Sequence, residues 1–288
     1  MGAMARRVIR VGGVHEPFNL PWIRAFDADA FADLGLEVTF EEFAGGTGAL
    51  VEALENGTID LATLLTEGAV TAIGRGRAVR IHSGFTTTPL TWGIHVAAES
   101  DATEVADLVE ARFAISRHGS GSELMAYVLA DQLGWTLDDD RFVTVGGVDG
   151  AIEALPEGRA EVFLWERYVT SPLVEQGVFR RVGDLPTPWP AFVTAGRRDL
   201  LTTDRPLVDD LVARVLAHAA ALAADRDGTA AAIVDRYGMS ADDTASWLAQ
   251  VGWPDRPAIE AAVLEPVVEA MVDLGRIDQA VSFDDLLR

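Results

Sequence analysis

The stretch Glu37-Val38-Thr39-Phe40-Glu41-Glu42-Phe43 alternates like a strand, and Ala44-Gly45-Gly46-Thr47-Gly48 breaks it. Ala49 to Asn56 carries helical spacing up to Gly57. Ile59-Asp60-Leu61-Ala62-Thr63-Leu64-Leu65 is then a third strand. Strand, glycine turn, helix and strand predict a βαβ unit, which closes by a right-handed crossover onto a parallel sheet. Upstream, Val8 to Val11 reads as a first strand. A turn rich in breakers follows it, from Gly12 to Pro21, and then a helix over Trp22 to Leu34 stopped by Gly35. Downstream, Thr66-Glu67-Gly68 forms a turn, a further helix ends near Gly74, and Val79 to Ser83 is a fourth strand.

The texture changes at Thr88-Pro89-Leu90-Thr91-Trp92-Gly93-Ile94-His95-Val96, an extended segment leaving this first lobe. The pattern then restarts. Val105 to Leu108 is a short helix and Arg112 to Ser116 a strand. Arg117-His118-Gly119-Ser120-Gly121-Ser122 is a polar glycine loop, and Glu123 to Leu133 is a helix with Leu124, Val128 and Leu129 on one face. Phe142 to Val145 is a strand, Ala151 to Leu155 a helix and Val162 to Trp165 a strand. Phe192 to Ala195 returns to the first lobe. From Pro206 the chain is helical over Leu207 to Ala224, Thr229 to Tyr237, Ala241 to Val251 and Ile259 to Leu274. Pro206 and Pro257 are placed at helix starts.

Two α/β units, the second inserted in the first and followed by a helical tail, resemble the type 2 periplasmic binding proteins. Asp60-Leu61-Ala62 after Glu55-Asn56-Gly57 is similar to a step found in ABC-transporter solute-binding proteins of the sulfonate, taurine and thiamine-precursor type. A wider set resembles a soluble bacterial and fungal branch of that superfamily. It comprises His15-Glu16-Pro17-Phe18, Gly45 to Ala49, Thr66-Glu67-Gly68, Pro89 to His95, Ser116 to Ser122 and Pro186-Thr187-Pro188-Trp189-Pro190. That branch carries Pro-Glu-His where this chain has His15-Glu16-Pro17, so a role for the loop's histidine is not carried over. The resemblance spans residues 8 to about 198 and reaches the tail only in general character. It implies an α/β, two-lobed type 2 periplasmic-binding-protein-like fold, each lobe a mostly parallel sheet flanked by helices, with a helical C-terminal tail. Lobe 1 is then residues 1–93 and 194–288, and lobe 2 the inserted residues 94–193.

Composition narrows the chemistry. The formal net charge is −22, which opposes tight binding to nucleic acid or to an anionic membrane. The absence of cysteine excludes disulfides, thiolate nucleophiles and iron–sulfur clusters. All 23 basic residues are arginine, so Schiff-base chemistry and covalently held pyridoxal phosphate are excluded as well. No apolar run reaches the roughly 20 residues of a membrane helix. Met1-Gly2-Ala3-Met4 reads as an expression remnant. The expected location is cytoplasmic if Met4 is the native start, and periplasmic or extracytoplasmic if a signal was removed.

In open α/β sheets ligands sit beyond the carboxyl ends of strands. Candidate ligand-binding residues therefore come from the turns after strands: His15, Glu16, Phe18, Asn19, Gly46, Thr47, Gly48, Thr66 and Glu67 in the first lobe. Thr91 and Trp92 come from the segment leaving that lobe, and Arg117, His118, Gly119, Ser120, Ser122, Asp149, Trp165 and Glu166 from the second. Glycines and a helix start after Gly45 suit anionic oxygens, or form a tight turn with Thr47 as N-cap. The strongest single site is Ser116 to Ser122, where hydroxyls, a guanidinium and an imidazole precede a helix. That set suits a carboxylate, sulfonate or phosphate. It is not a Walker motif, because the lysine is absent. Glu67 could accept from a ligand amine or ring N–H, or cap a helix. Trp92 and Trp165 could stack on a ring, although aromatics at strand ends more often fill cores. His15, His95 and His118 lack metal-ligand spacing, so no metal, cofactor or catalytic residue is assigned.

The leading expectation is a monomeric, non-catalytic binding protein that closes two lobes around a polar or anionic metabolite. An ABC permease is its partner if it is exported. The alternative is a cytoplasmic enzyme on the same fold, with His118 or Glu67 as acid or base. A third class is a regulatory module without a transporter.

Overall fold

The computed structural model describes residues 7–288, so the Met1 to Met4 reading lies outside the described residues. The chain divides into two compact units, Met1–Thr88 with Trp189–Arg288, and Pro89–Pro188.

The first unit opens with β1 (Arg7–Gly13), α1 (Leu20–Asp27), β2 (Leu36–Glu42), α2 (Gly46–Glu55), β3 (Leu61–Leu65), α3 (Thr66–Gly74) and β4 (Val79–Gly84). The second comprises β5 (Thr91–Ala97), β6 (Phe113–Ile115), α4 (Gly121–Leu133), β7 (Phe142–Thr144), α5 (Val148–Ala154), β8 (Val162–Glu166), α6 (Arg167–Glu175) and β9 (Phe179–Pro186). The chain then re-enters the first unit with β10 (Phe192–Arg197) and α7 (Arg198–Thr203). The tail follows as α8 (Arg205–Ala224), α9 (Arg226–Tyr237), α10 (Ala241–Gln250), α11 (Ala261–Asp273) and α12 (Phe283–Leu287).

The sheet of the first unit runs β2-β1-β3-β10-β4. β1 pairs in parallel with β2 and β3, while β10 runs antiparallel to both β3 and β4. The sheet of the second runs β7-β6-β8-β5-β9, with β5 antiparallel to β8 and β9. Each sheet is thus parallel except for one strand next to its edge. The apolar run of β3 is buried on both faces, as expected where helices cover both sides. Trp22 of α1 fills the first core: it is fully buried, its Nε1 donates to Thr63 Oγ1 at 2.9 Å, and its ring stacks on Phe40 and Phe85.

Several boundaries differ from expectation. The helix over Trp22 to Leu34 ends at Asp27, and a 3-10 turn over Ala32–Leu34 precedes Gly35. Asp27 and Asp29 compete with helical hydrogen bonding, and Asp29 takes a left-handed φ of 48°. Thr66-Glu67-Gly68 is the first turn of α3 rather than a loop. Pro257 lies ahead of α11, which begins at Ala261. α6 and β9 escaped the reading because both mix charge with apolar residues. Arg180, Arg181 and Asp184 sit on β9, a strand at the sheet edge where charge guards against unwanted pairing.

Candidate functional site

The amino end of each sheet is closed by a carboxylate. In the first unit Asp60 accepts from Arg10 N and Nε at 2.9 Å and from Arg197 Nη1 at 3.3 Å, which ties β1, β3 and β10 together. Asp60 of the quoted motif is therefore a structural clasp. In the second unit Glu161 accepts from Arg112 N at 2.7 Å and Nε at 3.2 Å just before β6 and β8.

At the carboxyl end of the first sheet, β1 delivers His15, Glu16, Phe18 and Asn19. His15 is exposed, with Nδ1 2.8 Å from Glu42 Oε2 and its ring 4.9 Å from that of Tyr237. Arg236 donates to the other oxygen of Glu42 at 2.8 Å. Burial pushes the Tyr237 hydroxyl up to about 12. Burial likewise pushes the Glu16 carboxyl up to about 7, and its Oε2 is enclosed without a hydrogen-bond partner. Phe18 packs against Phe192 and Trp247 at 4.9 and 5.1 Å, so its ring is occupied in the core. Asn19 is 1% exposed; its Nδ2 donates to Val14 O at 2.8 Å and its Oδ1 has no partner.

Gly46 opens α2, but Gly45 is the N-cap and offers no side-chain bond, so Thr47 does not cap. Thr47 Oγ1 instead accepts from Leu65 N at 3.2 Å, while Gly48 is half-buried in the first turn of α2. Thr66 donates from Oγ1 to Pro190 O at 2.6 Å, tying α3 to the segment before β10. Glu67 is 2% exposed; Trp189 Nε1 donates to its Oε2 at 2.8 Å and its Oε1 is unpartnered. Burial pushes this carboxyl up to about 7 against the pull of its hydrogen bonds. A cavity of about 270 Å³ opens at the same edge, lined in part by Thr66, Thr86, Phe192, Arg256 and Glu260.

In the second unit the loop after β6 is braced from within. Ser120 is the N-cap of α4, accepting from Glu123 N at 3.4 Å, and Ser122 Oγ accepts from Ser116 N at 3.0 Å. Glu123 Oε1 lies 2.8 Å from His118 Nδ1, and its Oε2 accepts from Gly119 N at 2.7 Å. Arg117 is exposed in this loop; its carbonyl accepts from Ser120 N at 3.2 Å, and its guanidinium makes no hydrogen bond or ion pair among the described residues. Asp149 is exposed in the first turn of α5. Glu166 caps α6 by accepting from Val169 N at 2.7 Å. Trp165 stacks on Phe163 and packs against the core cluster. Thr91 and Trp92 lie on β5, where Trp92 is 5% exposed with Nε1 unpartnered. His95 is fully enclosed, with Nδ1 3.2 Å from Phe163 O and Nε2 2.9 Å from Thr170 Oγ1; burial pushes it down to about 4. Among the described residues no group of three or more His, Asp or Glu side chains could hold a metal ion. No helix among them is long and apolar enough to cross a membrane.

The structure also brings in residues without an assigned role in the sequence reading. Trp189 holds Glu67, and its signal was a tryptophan set between Pro188 and Pro190. Glu42, Arg236 and Tyr237 surround His15 through tertiary packing that no local motif announces.

The structure superposes on the Candida albicans CA3427 gene product with a TM-score of 0.86, at 23% identity over 97% of this chain and 93% of that one. This chain has the type 2 periplasmic-binding-protein fold. Residues 92–185 match the family described as Ca3427-like PBP. A second neighbour is the alkanesulfonate-binding protein SsuA from Xanthomonas axonopodis pv. citri bound to MOPS. It has a TM-score of 0.79 and 20% identity over 100% of this chain and 99% of that one. A third is the periplasmic nitrate-binding protein NrtA from Synechocystis PCC 6803, with a TM-score of 0.71 and 14% identity over 97% and 84%. No curated protein sequence matches the chain.

Proposed function

We propose that this chain is a binding protein for a small polar or anionic metabolite, whose two units close on the ligand. The observation that carries this reading is the Arg117 loop. Glu123, Ser120 and Ser122 hold its backbone and His118 in place, while the Arg117 guanidinium is left exposed with its donors unspent at the start of a 13-residue helix. Such a loop suits a sulfonate or carboxylate, and two neighbours of this fold are named for binding alkanesulfonate and nitrate. An ABC permease is the partner this reading carries if the protein is exported. Native mass spectrometry of freshly purified protein, followed by calorimetry with sulfonate, carboxylate and pyrimidine panels, tests it. A ligand bound unmodified, and weakened roughly tenfold by Arg117→Ala, is the expected result. No binding across those panels, or binding indifferent to Arg117, overturns it.

The Glu67 carboxyl, enclosed and poised at about 7, supports a second reading as a metabolite-converting enzyme with Glu67 as acid or base. Turnover of the bound metabolite that disappears in Glu67→Gln with folding intact would replace the first reading with this one.

A further inference from the structure

We infer that the carboxyl end of the first sheet is a subsite for a cationic, N–H-rich group, formed by Glu16, Asn19 and Glu67. The inference rests on the small-molecule reading above and adds the chemistry of one end of the ligand.

Three oxygens carry it. Glu16 Oε2, Asn19 Oδ1 and Glu67 Oε1 are all enclosed and all lack a hydrogen-bond partner. Buried polar atoms are almost always paired, and an unpaired one loses its hydration without return. The three belong to one edge of one sheet. Glu16 and Asn19 follow β1, Glu67 follows β3, and β1 pairs directly with β3 through Val11↔Leu61 and Gly12↔Ala62. Phe192 joins the two segments: its ring packs on Phe18 at 4.9 Å, and its backbone pairs with Leu65, two residues before Glu67.

The sign of the ligand group follows from the Asn19 amide. Its Nδ2 is committed to Val14 O at 2.8 Å, which fixes the orientation and leaves Oδ1 as an acceptor only. The bond from Trp189 Nε1 to Glu67 Oε2 makes that oxygen an acceptor as well, so Oε1 is the atom left for a ligand. Three unpaired acceptors at the carboxyl ends of two paired strands, two of them ionisable, call for donors and for positive charge. An ammonium, an amidine or an aminopyrimidine edge supplies both. Of the basic groups near this edge, Arg236 is engaged with Glu42 and His15 lies beside the same carboxylate, while Arg256 of the cavity lining is exposed.

Benzamidinium and benzenesulfonate are planar probes that separate this subsite from the anion site. Calorimetry should find benzamidinium bound by the wild-type chain and weakened at least roughly tenfold by Glu67→Gln, an isostere that keeps an acceptor for Trp189. Benzenesulfonate affinity should be lowered by Arg117→Ala. If wild type ignores benzamidinium, or binds it as Glu67→Gln does, the subsite is wrong while the anion reading stands. If only benzenesulfonate fails, the anion reading falls and the subsite stands. Should Glu67→Gln misfold, Glu16→Gln carries the same comparison with the same two outcomes.

Discussion

The two sheets share a plan and differ at one end. Each places an antiparallel strand, β10 or β5, next to its edge. Each of these strands shifts register against its outer neighbour, at Thr194/Ala195 and at Ile94/His95. Each closes its amino end with an arginine–carboxylate clasp, Arg10–Asp60 or Arg112–Glu161. The carboxyl ends diverge. In the first unit neither Gly45 before α2 nor Leu65 before α3 makes a side-chain cap, and enclosed acceptors go unpaired. In the second, Ser120 and Glu166 cap α4 and α6. What repeats is what the fold needs to form; what differs is where ligand chemistry can be set, as expected for sites at the carboxyl ends of strands.

The sharpest way to test the shared plan is to crowd the first turns of the helices that follow strands. A methyl on Gly150 would overlap the carbonyl oxygen of Val145, which is backbone and cannot swing away. A methyl on Gly68 would overlap the Thr47 Cγ2, a side-chain atom that can rotate. Gly150→Ala should therefore cost about 2–4 kcal/mol and Gly68→Ala about 1–2 kcal/mol, with the second partly rescued by Thr47→Ser. Equal losses in chemical denaturation would deny the distinction.

The buried titratable groups sharpen the contrast, because their signs oppose. In the second unit His95 is held near 4, below its unfolded value of about 6.5. It is kept neutral, so its contribution is present above about 6.5 and is lost as pH falls toward 4, amounting to about 3 kcal/mol. In the first unit Glu67 is held near 7, above its unfolded value of about 4.5. Its contribution is present below about 4.5 and is lost as pH rises through 7, again about 3 kcal/mol. Stability measured from pH 4 to 8 should show the acid-side loss reduced in His95→Gln and the neutral-side loss reduced in Glu67→Gln. The same slope in variant and wild type on either side would remove that group from the account.

Most of the fold is legible in the sequence because strands such as Leu61–Leu65 announce themselves by continuous burial, and turns such as Gly45 to Gly48 by their glycines. β9 stayed hidden because an edge strand need not be apolar: Arg180, Arg181 and Asp184 read as loop. At the candidate site the sequence singles out residue types but not their partners. Glu67 could be named from its place after a strand, yet its pairing with Trp189 spans 122 positions and comes only from the fold. Phe18 shows the opposite case, since an aromatic in a turn suggests a ligand contact until Phe192 and Trp247 are seen to cover it.

The smallest effect concerns the loop that presents Arg117. Ser120 accepts from Glu123 N and lies 3.0 Å from Ser122 Oγ, which in turn accepts from Ser116 N. Ser120→Ala removes the cap and one support of this relay and should cost about 1 kcal/mol, while Ser120→Thr, which keeps the oxygen, should cost less. Because the 3.4 Å bond to Glu123 N is long, the relay to Ser122 rather than the cap alone should set the loss. Ser122→Ala would then be at least as costly as Ser120→Ala, since it leaves Ser116 N without its acceptor. If Ser122→Ala instead melts with wild type, the loop is held by Glu123 alone, and the order of the second unit's carboxyl end reduces to one buried carboxylate bonded to Gly119 N.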